Sequence, residues 1–98
     1  MDDGEEIHRE APDTFWIPDA AERQSLQPGR LVKLIFRIDL GDEVQVERMW
    51  VQVKKQSSSG YIGELDNDPY CITELRSGEP ILFEPRHVID IYKERADA

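Results

Sequence analysis

The stretch Asp66-Asn67-Asp68-Pro69-Tyr70 places two carboxylates and an amide side by side, and alternating carboxylates of this kind suit a hard cation such as Ca²⁺. A calcium loop counted from Asp66 needs glycine at its sixth place and glutamate at its twelfth. Cys71 and Ser77 stand there, so that motif fails. The simpler reading is a turn, in which Asp and Asn side chains bond their own backbone and Pro69 sets the exit. A recognition loop, or a small-ligand or cation site over Asp66–Tyr70, is the alternative. Cys71, His87 and Asp90 supply a thiol, an imidazole and a carboxylate, the parts of a thiol-dependent hydrolase. Cys71 is flanked by Tyr70 and Ile72, however, the setting of a small buried hydrophobe. The spacing of His8, Cys71 and His87 matches no zinc pattern. Gly60 and Gly63 lack the strand-to-helix setting of a phosphate loop. No catalytic residue, metal or cofactor is expected.

Large aromatics offer a different chemistry. Trp50, Tyr61, Tyr70 and Phe83 either fill a core or anchor a partner from an exposed sheet face. Carboxylates gather near predicted turns as two groups: Asp39, Asp42 and Glu43, then Glu64, Asp66 and Asp68. If those turns share one end of the fold, they form an anionic rim. The residues expected to bind a partner are Trp50, Tyr61, Glu64, Asp66, Asn67, Asp68 and Tyr70.

The bulk properties bound these readings. Ninety-eight residues, 39% of them hydrophobic, supply one core and one domain. Net charge is −9, the wrong sign for neutralising nucleic-acid phosphates or for seating on an anionic membrane. A basic protein partner is the macromolecule this field attracts. No apolar run is long enough to span a bilayer, and the acidic start Met1–Glu10 is unlike a secretory signal. One cysteine excludes an internal disulfide and fits a reducing cytoplasm.

These residues must be held by elements that the pattern of the chain predicts. Residues 1–13 read as a disordered acidic leader, residues 14–94 as one globular domain and residues 95–98 as a frayed tail. Phe15, Trp16 and Ile17 open the fold. Asp19 and Glu22 have capping-box spacing ahead of a short helix over Ala20–Leu26, and Gln27-Pro28-Gly29-Arg30 fits a type II turn. Leu31–Ile38 alternates as a strand, with Val32, Leu34, Phe36 and Ile38 toward the core. In Val44–Lys54 the apolar positions change parity between Val46 and Met49, which predicts a β-bulge near Glu47-Arg48. Strands follow at Tyr61–Leu65, Cys71–Leu75, Ile81–Phe83 and Val88–Tyr92, the last ambiguous between strand and helix, with a single turn at Pro85–His87. The expected fold is α+β: a small antiparallel curled sheet, or SH3-like partial barrel, of five to six strands with one short N-terminal helix. An unpaired edge would invite pairing with a second copy, so a monomer or weak dimer is expected.

From Arg30 onward the chain resembles a family of small bacterial domains of unknown function, number twenty-three fourteen. The resemblance rests on Glu47–Val53, Gly63–Pro69, Leu75, Ser77-Gly78-Glu79 and His87–Asp90, short blocks in order over about two-thirds of the chain. The family usually has His where Arg48 stands and Trp where Ile91 stands. The resemblance implies a bacterial cytoplasmic domain and brings no established reaction; similar small domains occur near toxin-immunity systems. The expected function is a non-enzymatic acidic interaction module that binds a basic protein, with toxin neutralisation as one instance.

Overall fold

The computed structural model describes residues 1–66 and 80–92. In chain order they form helices α1 (Gly4–Glu10) and α2 (Ala20–Arg23), strands β1 (Leu31–Asp39), β2 (Val44–Gln56), β3 (Tyr61–Leu65) and β4 (Pro80–Phe83), a 3-10 turn at Pro85–His87, and strand β5 (Asp90–Ile91). The described strands make one antiparallel sheet in the order β4-β3-β2-β1-β5. Strands β1 to β4 thus lie side by side in chain order. The 3-10 turn then carries the chain from the β4 edge across to β5 at the opposite edge. The sheet curls without closing, as an SH3-like partial barrel does. The predicted strand at Cys71–Leu75 and the tail lie outside the described residues.

Alternation explains which face is the core. Val32, Leu34 and Phe36 of β1 point inward with Val51 and Val53 of β2, Tyr61 and Leu65 of β3, and Ile81 and Phe83 of β4. Ile91, Val88 and Leu26 complete that cluster. Val32, Leu34, Val51, Val53 and Val88 are fully buried, each worth about 1.5–3 kcal/mol against exposure.

Two local expectations need correction. The register of β1 on β2 runs unbroken from Leu31↔Gln52 to Asp39↔Val44, so there is no bulge near Glu47-Arg48. The irregularity sits at Val53/Lys55, where β2 meets β3. Val44 and Val46 simply occupy the outer face, half exposed, while Gln45 and Glu47 continue the inward parity. The alternation breaks because β1 and β2 run on past Val51, the last residue that β3 pairs, and the pull of the core fades there. Helix α2 is shorter than Ala20–Leu26, and Asp19 makes no side-chain cap bond. Gly29 does take the positive φ, 97°, that a type II turn requires at its third position.

The first thirteen residues are not the disordered leader their composition predicts. They contain α1, whose N-cap Asp3 accepts from the Glu6 N–H at 3.1 Å. Arginines from the body fasten three of its acids: Arg37 to Asp2 through two 3.0 Å bonds, Arg86 to Asp3 at 3.0 Å, and Arg23 to Glu5. The Asp2 N–H donates to Ile35 O at 3.0 Å, and Gly4 is buried against Ile89. Three like charges that repel one another in isolation are thus met by opposite charges from other elements. Local composition holds no trace of that pairing.

Candidate functional site

The structure distributes the expected partner-binding residues rather than gathering them. Tyr61 is a correction: it is 3% exposed, stacks on Phe83 at 5.3 Å, and its hydroxyl donates to Arg23 O at 2.8 Å while accepting from Leu26 N–H at 3.2 Å. It pins the segment after α2 onto the sheet and is out of reach of any partner. Trp50 lies half-buried on the outer face, edge-on to Tyr92 at 5.9 Å, with the Lys33 ammonium 4.8 Å from its ring centre. Glu64 reaches Lys54 at 3.5 Å. Asp66 is exposed, and its N–H donates to Trp50 O at 3.0 Å. Asn67, Asp68, Tyr70 and Cys71 lie outside the described residues.

The described carboxylates of the two groups do not form one rim. Asp66 sits level with Trp50, whereas Asp39, Asp42 and Glu43 sit at the β1–β2 turn beyond Val44. Six residues of strand separate those levels, about 20 Å. The turn is a unit of its own. Gly41 takes φ 91°, Asp39 Oδ1 accepts the Gly41 N–H at 2.9 Å, and the Leu40 N–H donates to Glu43 O at 2.9 Å. Asp39, Asp42 and Glu43 are all exposed, and among the described residues none of them makes an ion pair. Beside them Leu40, Val44 and Val46 are 43%, 51% and 50% exposed. Three unpaired carboxylates and three bare apolar side chains therefore share one hairpin end.

His87 has a structural occupation. It is buried, and its Nδ1 accepts the Glu84 N–H at 2.9 Å, which leaves the proton on Nε2 as the assigned tautomer. Asp90 does not orient it, since Asp90 Oδ1 accepts from Ile91 N–H at 2.8 Å instead. Burial first, and the adjacent Arg86 cation second, hold the imidazole below its ordinary value of 6.5, against the opposing pull of Glu84 and Asp3. The folded state thus prefers the neutral ring. As pH falls through the unfolded value, the unfolded chain takes up a proton that the folded chain refuses, and stability declines until the folded ring also protonates. Urea midpoints measured from about pH 7 to about pH 5 are expected to fall, and His87→Gln, which keeps an acceptor for Glu84, should flatten that slope. Among the described residues no cluster of three His, Cys, Asp or Glu side chains could hold a metal ion.

A second feature of the outer face was not foreseen. Residues Thr14–Pro18 cross it and, with Lys33, Arg48 and Asp90, line an open groove of about 560 Å³. Trp16 stands on its wall 78% exposed, its indole N–H donating to Asp13 O at 3.3 Å. His8 Nδ1 lies 2.6 Å from Phe15 O and so fastens this crossing segment to α1. The groove joins four segments far apart in the chain, which only the fold brings together; the adjacent aromatics Phe15-Trp16 are the single sequence signal.

No family model, curated protein or solved structure matches the chain. Among the described residues no helix is long and apolar enough to cross a membrane.

Proposed function

We propose that the protein is a non-enzymatic interaction module that docks a basic protein segment on the acidic end of its β1–β2 hairpin. The observation that carries this reading is the hairpin end itself, where Asp39, Asp42 and Glu43 flank the exposed Leu40, Val44 and Val46. Apolar contact supplies affinity there, and the carboxylates select for lysine and arginine. A chain of net charge −9 also steers such a partner in from a distance and speeds its association. The occupied Nδ1 of His87 supports binding over thiol chemistry. Toxin neutralisation is one form that capture of a basic protein takes.

A labelled peptide alternating lysine and leucine tests this by fluorescence anisotropy, with its glutamate-leucine counterpart as control. The lysine peptide is expected to bind and to weaken as salt rises. Neutralising the turn with Asp39→Asn, Asp42→Asn and Glu43→Gln together should cost roughly tenfold in affinity, at exposed-pair strengths of a few tenths of a kcal/mol to one each. Equal binding of the acidic peptide, or an unchanged affinity in the neutralised variant, overturns the proposal.

A further inference from the structure

Among the described residues, Lys33 and Arg48 are the cations that rest on aromatic rings. Acids outnumber bases 21 to 12, and Arg23, Arg37, Arg86 and Lys54 each hold a carboxylate. Among the described residues neither the Lys33 nor the Arg48 side chain makes an ion pair or a hydrogen bond. Their charged ends rest only on aromatic faces, Lys33 on Trp50 at 4.8 Å and Arg48 on Phe15 at 5.7 Å. That contact leaves their N–H groups open to an acceptor. Both line the Phe15–Trp16 groove. In the register of β1 on β2, Lys33 pairs with Trp50 and Ile35 with Arg48, so Lys33 and Arg48 are diagonal neighbours on the outer face, about 7–8 Å apart at the backbone. Two long cationic side chains at that spacing reach one anion.

The rest of the groove says what body the anion carries. Phe15 and Trp16 give flat apolar walls, and a volume of about 560 Å³ lies in the range of small-ligand sites. Glu22 and Asp90 also line it, and the Asp90 carboxylate is turned to the Ile91 N–H. The lining thus carries two acids and two bases, a neutral island on a strongly negative surface. An anion meets less repulsion here than that surface offers elsewhere. We propose that this groove binds a small aromatic carboxylate, its ring against Phe15 and Trp16 and its carboxylate shared between the Lys33 ammonium and the Arg48 guanidinium. This site borders the hairpin end at Arg48, two residues along β2 from Val46, but its occupancy does not depend on the docking proposed there.

Phenylacetate and its uncharged analogue phenylacetamide are the probes, titrated into ¹⁵N-labelled full-length protein and followed by NMR. Phenylacetate is expected to give saturable shifts at the Trp16 indole N–H and at the amides of Phe15, Lys33 and Arg48. It should bind about tenfold more tightly than the amide, the strength of a charge-assisted hydrogen bond. The double variant Lys33→Gln with Arg48→Gln should bring phenylacetate down to the affinity of phenylacetamide. Absence of saturation, equal affinity of acid and amide for the wild-type protein, or shifts that map away from the groove overturn the proposal. The wild-type comparison decides the matter even if the double variant does not fold.

Discussion

Arg23→Met is expected to lower the unfolding free energy by about 3 kcal/mol, toward the small end of what breaking a buried charged network costs. The guanidinium is 5% exposed and serves three distant pieces of chain. Its Nε donates to Pro18 O at 2.7 Å, and its Nη1 donates to Pro85 O at 3.1 Å and to Glu5 of α1. Methionine fills much of the volume and removes every donor. Two carbonyls then lose a charged partner, each worth about 1 kcal/mol or more. The stranded Glu5 carboxylate is 35% exposed and recovers water, so its share is smaller. Arg23→Lys should rescue little, because a single ammonium cannot span acceptors that a planar fork reaches on several sides. Urea denaturation gives the magnitude, and hydrogen exchange at the α1 amides gives the mechanism. Faster exchange confined to α1 and the 3-10 turn is the expected pattern. A variant within about 0.5 kcal/mol of wild type, the usual range for surface changes, would show that the acidic start is held by something else.

Gly63→Ala is expected to be of similar severity for an unrelated reason. A Cβ built there would sit 2.5 Å from Gln52 O and 2.6 Å from Val51 Cγ1. The first of these belongs to the β2 backbone, which cannot swing aside, so the two strands must part. Ordinarily alanine in a strand interior stabilises relative to glycine by roughly 0.5–1 kcal/mol; here overpacking should reverse the sign and cost about 2–3 kcal/mol. The close approach occurs beside the irregularity at Val53/Lys55, where extra twist draws β3 onto β2. Gly41→Ala is the useful comparison, since nothing lies within 4 Å of a Cβ at Gly41 and only its positive φ resists substitution. That change should cost about 1 kcal/mol. Equal thermal midpoints for Gly63→Ala and wild type would contradict the packing described for β3.

How much of this was readable in the chain depended on the range of the interaction. The strands β1 and β3 were legible because period-two alternation over Val32–Ile38 and Tyr61–Leu65 is a local signal with one face buried. That same alternation, in which Tyr61 shares parity with Gly63 and Leu65, already placed Tyr61 toward the core. The change of parity in β2 was real, yet it marked the loss of burial toward the hairpin end rather than an inserted residue. The N-terminal helix was missed because its stability comes from Arg23, Arg37 and Arg86, which stand between 18 and 83 positions away from their acids. The outer groove was missed for the same reason. Lys33 and Arg48 become neighbours only once the β1–β2 register is known. The acidic group Asp39, Asp42 and Glu43 was recognised correctly as turn-borne, but its separation from Asp66 follows from strand lengths that sequence spacing does not convey.

The central claim is that negative charge at the β1–β2 hairpin end recruits a positively charged partner. Stopped-flow association of the lysine-leucine peptide across a series of salt concentrations measures it most directly. The association rate should fall steeply as the Debye length shrinks from about 30 Å toward about 8 Å, and the Asp39→Asn, Asp42→Asn, Glu43→Gln variant should lose most of that dependence. A rate that ignores salt, or a neutralised hairpin that retains the full salt slope, would contradict the account.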